Sequence, residues 1–412
     1  MTGVIARLHQ AGKSGHNDLM NDAVHYDFVI AGGAAIGASV AWHVLSMDGA
    51  PAKIAVIERD RTFRDASTSR SAASIRQQFS TPENIRLSQY GLEFLANMVQ
   101  RQGSQADPGL ILGGYLILAG RTGLAALQDN HRVQIAEGAP IRLLDATALA
   151  QAFPWLNCGD LAAGAHGEGC EGWFDADALL QFFWRDLRAA GVPLIEAEIT
   201  AIDMAPGRVT HVRLADGRRI GCGALVNACG PGAGSLAALA GRPLPVEPRK
   251  RTVFVVDCPA APDGLPLVAD PSGIWIRPEG RYFLAGYSPP QSQDQTADPN
   301  DLEADHGLFE ETLWPALAAR IPAFETLKVV NAWAGHYDFN TLDQNAVIGP
   351  DPQLPNFIYA NGFSGHGLQH APGVGRAVAE WLTFGAYRSI DLSVFGYDRI
   401  AENRPLIERA VI

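Results

Sequence analysis

The chain has 412 residues, a formal net charge of −12, 47% hydrophobic residues and 18% charged residues. That length allows two domains with substantial cores, and the acidic balance excludes the basic surface that nucleic-acid binding requires. No run reaches the roughly eighteen apolar residues of a membrane span, and the cysteines Cys158, Cys170, Cys222, Cys229 and Cys258 show no C-x-x-C pair, which argues against a disulfide framework or a zinc site and fits a reducing cytoplasm.

In chain order, residues 1–24 are polar, lack the apolar core of a signal peptide, and read as a disordered extension. A strand over 26–31, a glycine turn, a small-residue helix over 36–45 and a strand over 53–58 then form a β-α-β unit, which implies a parallel sheet. The turn reads Gly32-Gly33-Ala34-Ala35-Ile36-Gly37. Gly32 permits the tight exit from the strand, Ala34 stands where backbone approaches a pyrophosphate, and Gly37 lets helix and strand pack closely. The helix start offers free N–H groups to phosphate. Glu58 ends the second strand at the spacing where a carboxylate receives ribose hydroxyls. Together these features predict dinucleotide binding.

Further on, the pattern predicts a helix over 82–98, a strand over 114–119, a helix over 175–190 and a strand over 192–201. A hairpin turns at Asp216-Gly217, and a buried strand over 225–228 runs into Gly230-Pro231-Gly232. Strands follow over 252–256 and 282–286, then an acidic surface loop over 291–305, a strand over 357–360, a glycine-rich turn and a helix over 366–383.

Several of these segments carry a resemblance. Glu58-Arg59-Asp60, Ala66-Ser67-Thr68-Ser69-Arg70-Ser71-Ala72-Ala73, Val226-Asn227-Ala228-Cys229-Gly230-Pro231 and Gly362-Phe363-Ser364-Gly365-His366-Gly367 resemble the D-amino-acid oxidase superfamily of FAD enzymes, which includes glycine oxidase, monomeric sarcosine oxidase and D-arginine dehydrogenase. Within that superfamily the segments 76–85, 343–345 and 365–373 resemble the mitochondrial FAD-dependent oxidoreductase-domain proteins that assist respiratory complex I assembly, and their bacterial relatives. The resemblance implies an α/β fold with a discontinuous Rossmann-like FAD-binding domain (25–90, 173–244 and 330–392). It also implies a substrate domain with a mixed, largely antiparallel sheet (91–172 and 245–329) and a C-terminal tail (393–412).

It further implies which residues meet the cofactor. Beyond the turn at 32–37 and Glu58 these are Arg59, Ser67, Thr68, Ser69, Ser71 and Ala72. Ile199 stands at the adenine, followed by Ala228, Gly230 and Gly335. The last group is Gly362, Phe363, Ser364, Gly365, His366, Gly367, Leu368 and Gln369, where a helix start favours the negative charge of reduced flavin.

The chain departs from the characterised enzymes at several points. Gln369 replaces a lysine of the sarcosine oxidases, and the strand at Phe283-Leu284-Ala285 lacks their second one. His336 stands at or near their flavin-linking cysteine, so noncovalent FAD is expected. Trp333-Ala334-Gly335 leads into His336 and Tyr337 where glycine oxidases place a carboxylate-binding arginine.

Arg76 and Arg277 remain as carboxylate anchors, since a guanidinium fork suits bidentate recognition; each also reads as an ion-paired structural arginine. Tyr337 is a candidate hydrogen-bond partner for substrate. Tyr337 reads equally well as a buried structural tyrosine, and His336 and His366 are candidate catalytic residues, although a histidine placed as His366 is more often a packing or loop-ordering residue than a base. The expected function is oxidation of a small amine or amino acid by hydride transfer to flavin N5 followed by imine hydrolysis, with O2 or a quinone or dye as electron acceptor. A 2-hydroxy acid dehydrogenase and a flavin-containing assembly protein are the alternatives.

Overall fold

The computed structural model describes residues 24–48 and 52–410. The extension expected over 1–24 lies outside the described residues, apart from Val24. Two eight-stranded sheets organise the rest.

The first sheet grows from the β-α-β unit. β1 (His25–Ala31) leads through Gly32 into α1 (Ala35–Ser46), and β2 (Ile54–Glu58) returns parallel to β1. β1 also runs parallel to the strand Arg219–Asn227, which pairs in parallel with Phe357–Asn361. Leu194–Glu196 joins β2, and the hairpin Ile199–Ala205/Arg208–Leu214 joins the side of Arg219–Asn227. The strand expected over 192–201 is thus split, with Ala197 and Glu198 between the two pieces.

α1, the helix Ala176–Ala189 and the last long helix, Gly367–Phe384, bury their apolar faces in one core that includes Ile30, Val40, Val56, Trp184, Val226 and Val374. Asp175 caps Ala176–Ala189 by accepting from Asp177 N at 2.8 Å and Ala178 N at 3.1 Å. α1 and the last helix approach closely, because a Cβ on Gly375 would lie 2.1 Å from Ser39 Oγ.

The second sheet runs in the order Lys328–Asn340, Val246–Asp257, Tyr282–Tyr287, Ile274–Glu279, Leu267–Ala269, Tyr115–Gly120, Leu161–Gly167, Arg142–Asp145. Every neighbouring pair is antiparallel except Leu267–Ala269 with Tyr115–Gly120, so the sheet is mixed and largely antiparallel.

Sheet membership redraws the expected domain limits. Residues 330–340 belong to the second sheet, because Lys328–Asn340 pairs along its length with Val246–Asp257. α2 (Pro82–Ala96), Met98 and Ala106 contribute to the first core, which moves 91–106 to that side. The segment expected as a tail from 393 packs inward, with Phe395, Arg399 and Glu408 buried. All five cysteines are free, and no helix among the described residues is long and apolar enough to cross a membrane.

Candidate active site

A cavity of about 800 Å³ lies where the C-terminal ends of the first sheet's parallel strands meet the second sheet. That size suits a cofactor together with a small substrate. At the first sheet its walls are Gly32, Ala34, Ala35, Ile36, Glu58, Arg59, Ile199, Ala228 and Gly230. Gly32 has φ +94°, and a Cβ there would sit 2.2 Å from Ala228 O, so only glycine allows this crossing. Glu58 is held with one oxygen on Gly33 N (2.8 Å) and the other on Asp60 N (3.1 Å), and still faces the cavity.

α1 starts without a side-chain cap and without an acid in its first turn. Thr68 Oγ1 accepts from Ala35 N at 3.2 Å, while Ala34, Ala35 and Ile36 open on the cavity. A helix N-terminus left in this state is an anion site.

The hydroxyl-rich loop from Ala66 is stitched to the second sheet. Ser67 Oγ donates to His336 O (2.6 Å), Arg70 Nη1 donates to Ala334 O (2.8 Å), and Trp333 Nε1 donates to Arg70 O (2.9 Å). Gly335 is required there, since a Cβ would fall 2.8 Å from Arg70 Cβ. Ser67, Thr68, Ser71, Ala72 and Gly335 line the cavity.

At the other end, the turn before Gly367–Phe384 is held by Asp338. Its Oδ2 accepts from Gly362 N (2.8 Å) and Phe363 N (3.1 Å), and its carbonyl accepts from Ser364 N (3.1 Å). Burial nevertheless raises the Asp338 carboxyl to about 6. Phe363, Ser364, Gly365, His366, Gly367, Leu368 and Gln369 line the cavity, and this helix start also lacks a side-chain cap and a first-turn acid. His366 is buried with both ring nitrogens unpartnered, and burial, reinforced by the Arg76 charge, lowers its pKa to about 3. Burial also lowers His336 and raises Tyr337. The two histidines are therefore neutral near pH 7.

Arg76 lines the cavity. Its backbone N donates to Gln369 Oε1 at 2.7 Å, its guanidinium lies 3.9 Å from the Phe79 ring centroid, and its terminal nitrogens donate to the carbonyls of Gln78 and Ala410. Among the described residues it has no carboxylate partner within ion-pair distance. Arg277 does not line the cavity, which corrects its assignment as an anchor. Its guanidinium donates to Ala72 O through Nε (3.0 Å) and Nη2 (2.6 Å), pairs with Glu279, and faces the Trp173 ring.

Four expected cofactor contacts likewise fall outside the cavity lining. Gly33 braces Glu58 through N and Trp184 through O (2.9 Å). Gly37 lies against Gly32 O, where a Cβ would come within 1.8 Å. Gly362 binds Asp338, and Ser69 does not reach the lining.

Sequence reasoning missed Arg251, Tyr115, Trp275 and Tyr287, which also line the cavity. Arg251 is held by Asp294 through two bonds of 2.8 and 2.6 Å and lies 5.0 Å from the Tyr337 ring centroid. The register Arg251↔Gly335 and Arg249↔Tyr337 sets its face, and only strand pairing reveals that register. Asp294 lies in the expected loop 291–305, whose Asn300 also reaches the cavity.

Comparison with known proteins agrees with this geometry. Residues 27–381 match the family model described as DAO, FAD dependent oxidoreductase. The chain is 42% identical to the "FAD-dependent oxidoreductase domain-containing protein 1" of Bos taurus, covering 90% of this chain and 84% of that protein. Among solved structures it is similar to L-proline dehydrogenase from P. horikoshii, with a TM-score of 0.80, 23% identity, and 92% and 99% of the two chains covered. It is similar also to glycine oxidase from Geobacillus kaustophilus, with a TM-score of 0.76, 22% identity, and 90% and 98% covered. At such identities the structural likeness shows the fold. The uncapped helix starts, the Gly32 crossing and the braced Glu58 fit FAD.

Two predictions arise from these residues. Among the described cavity-lining residues the single cysteine is Cys229, which burial raises to about 12 and so keeps protonated. Acid precipitation should therefore release all FAD into the supernatant; flavin retained in the pellet would show a covalent link.

Glu171 is fully buried near Arg76, and burial raises its carboxyl from 4.5 to about 7 against hydrogen bonds from Gln77 N and from Gln78 N and Nε2. Its folded pKa exceeds the unfolded one, so the folded state holds the extra proton between these values. Its contribution to stability then falls as pH rises through that window. Glu171→Gln should flatten the decline between about pH 5 and about pH 7.5 in chemical unfolding. An unchanged slope would mean that the group stays ionised.

Proposed function

Because the chain belongs to the DAO family of FAD-dependent oxidoreductases, we propose that it oxidises a small amine or amino acid bearing a carboxylate. The hydride leaves from the carbon next to nitrogen, and water then hydrolyses the imine. FAD, when bound, supplies the hydride acceptor. The chain's own residues bind, orient and exclude water.

Arg76 carries the reading. Among the described residues its buried guanidinium faces the cavity and donates to carbonyls rather than to a carboxylate, and a carboxylate is the complementary ligand. Arg251 offers a second guanidinium beside Tyr337. Tyr115, Trp275 and Tyr287 give the cavity aromatic walls, which suits a small organic body.

The histidines and the aspartate at the Gly367–Phe384 end of the cavity are not set up as bases. His366 and His336 are held neutral and poorly basic, and Asp338 is engaged with backbone N–H groups. That arrangement suits hydride loss from a neutral amine, whose lone pair expels the hydride as the imine forms. The likeness in fold to a proline dehydrogenase and a glycine oxidase supports the same substrate class.

Anaerobic mixing with a panel of D-, L- and N-substituted amino acids, amines and 2-hydroxy acids tests the proposal. Bleaching of the flavin by an amino acid, with ammonia or an aldehyde formed, is the expected result; bleaching by 2-hydroxy acids alone would overturn it. With the reducing substrate in hand, Arg76→Ala should lower kcat/KM by an amount equivalent to a few kcal/mol, and Arg76→Lys should restore it only in part because the fork is lost. Unchanged kcat/KM in both variants would transfer the anchor to Arg251.

The acceptor is addressed by a separate prediction. Among the described residues no lysine lines the cavity, and Gln369 stands at the helix start. The nearby Arg76 charge is spread over a guanidinium already bonded to two carbonyls, so without the compact charge of a lysine to favour superoxide the reduced protein should reoxidise slowly in air and faster with a quinone or dye. Stopped-flow reoxidation as fast as substrate turnover would make it an oxidase.

A further inference from the structure

Near its C-terminal end the chain buries a carboxylate that the proposed chemistry does not use. Glu408 is 1% exposed. Its Oε1 accepts from Ser80 N (2.8 Å), Ser80 Oγ (2.7 Å) and Ala410 N (2.9 Å), and its Oε2 accepts from Thr81 N (3.1 Å) and Asn84 Nδ2 (3.0 Å). Arg409 N donates to Ser80 Oγ at 2.9 Å, and Glu408 N donates to Asp343 O at 3.0 Å. Thr81 precedes α2 but makes no side-chain cap, so Glu408 serves the start of α2 from more than three hundred residues away in the chain.

The clasp closes only a few residues beyond Arg76, and it has a consequence there. Two residues after Glu408, the Ala410 carbonyl accepts from Arg76 Nη2, while Nη1 is held by Gln78 O. The direction of the guanidinium is thus set by one local carbonyl and by one that the C-terminal segment delivers.

We propose that Glu408 is a positioning residue for Arg76: it fastens the C-terminal segment to the start of α2 so that Ala410 holds the guanidinium at the cavity wall, and it thereby sets affinity for a carboxylate ligand. The inference rests on the reading of Arg76 as the anchor. Both Glu408 oxygens receive only donors, so Glu408→Gln must turn an NH2 against an N–H group with almost no change in size.

The test uses the full FAD-loaded chain, with benzoate as the probe and the flavin absorption shift as the measure of Kd. Glu408→Gln should weaken benzoate about tenfold, the scale of one charge-assisted hydrogen bond, at unchanged FAD content. Arg76→Lys should weaken it as well, and the double variant should bind no more weakly than Arg76→Lys alone. Phenylglyoxal labelling of Arg76, read by peptide mass in both the FAD-loaded and the FAD-free protein, should be faster in Glu408→Gln than in the parent.

If Arg76→Lys leaves benzoate binding unchanged, the anchor reading fails, and faster labelling in Glu408→Gln still supports the clasp. Parent-like labelling in Glu408→Gln, or effects on benzoate that add fully to those of Arg76→Lys, would overturn the proposal. Should Glu408→Gln not fold, Ser80→Ala removes part of the same clasp and should move both readouts in the same direction; no change in either would also overturn it.

Discussion

Two helices of this protein begin at the same cavity, and neither start has a side-chain cap. α1 and Gly367–Phe384 each lack an acid in the first turn, so the positive ends of their dipoles meet no negative charge there, and Thr68 Oγ1 takes only the Ala35 N–H of α1. An isolated helix would meet this demand with a serine or aspartate, as Ala176–Ala189 does with Asp175. Here the demand is left for a bound anionic group. The rest of the fold brings the two starts together: Gly32 lets β1 turn under Ala228, Gly37 seats α1 on that turn, and Gly375 lets the last helix lie against Ser39.

The strand Lys328–Asn340 joins the two halves of the site. As a member of the second sheet it carries Tyr337 to the cavity, and its backbone at Ala334 and His336 binds the Ala66–Ala73 loop of the first. Two residues after His336, Asp338 holds the turn that starts the last helix. Four arginines near this seam have separate duties. Arg70, Arg76 and Arg251 line the cavity and Arg277 does not; Arg70 and Arg277 bind backbone carbonyls across the seam, Arg76 binds those of Gln78 and Ala410, and Arg251 is held by Asp294. A buried cation is costly unless it is paired, and among the described residues Arg76 has only carbonyl acceptors, which is the basis for proposing it as the ligand anchor.

The parts of the site that were legible in the sequence are those set by local backbone geometry. The turn at 32–37, the acid at the end of β2 and the small-residue start of the last helix each depend on neighbours within a few residues, so spacing reveals them. Arginine roles were not legible in this way. Arg76, Arg251 and Arg277 differ in what their side chains meet, and strand register and loop position decide that. The same limit displaced the domain boundary at 330, because nothing within Lys328–Asn340 says which sheet it will join. Glu408 reads as an ordinary surface acid until Ser80 and Asn84 are brought beside it.

The account depends on both helix starts holding one ligand, and amide hydrogen exchange with and without FAD tests this directly. Binding of FAD should slow exchange at Ala35–Gly37 and at His366–Gln369 together, with little change in the outer strands Arg142–Asp145 and Leu161–Gly167. Protection at one helix start alone, or equal protection across the whole chain, would contradict it.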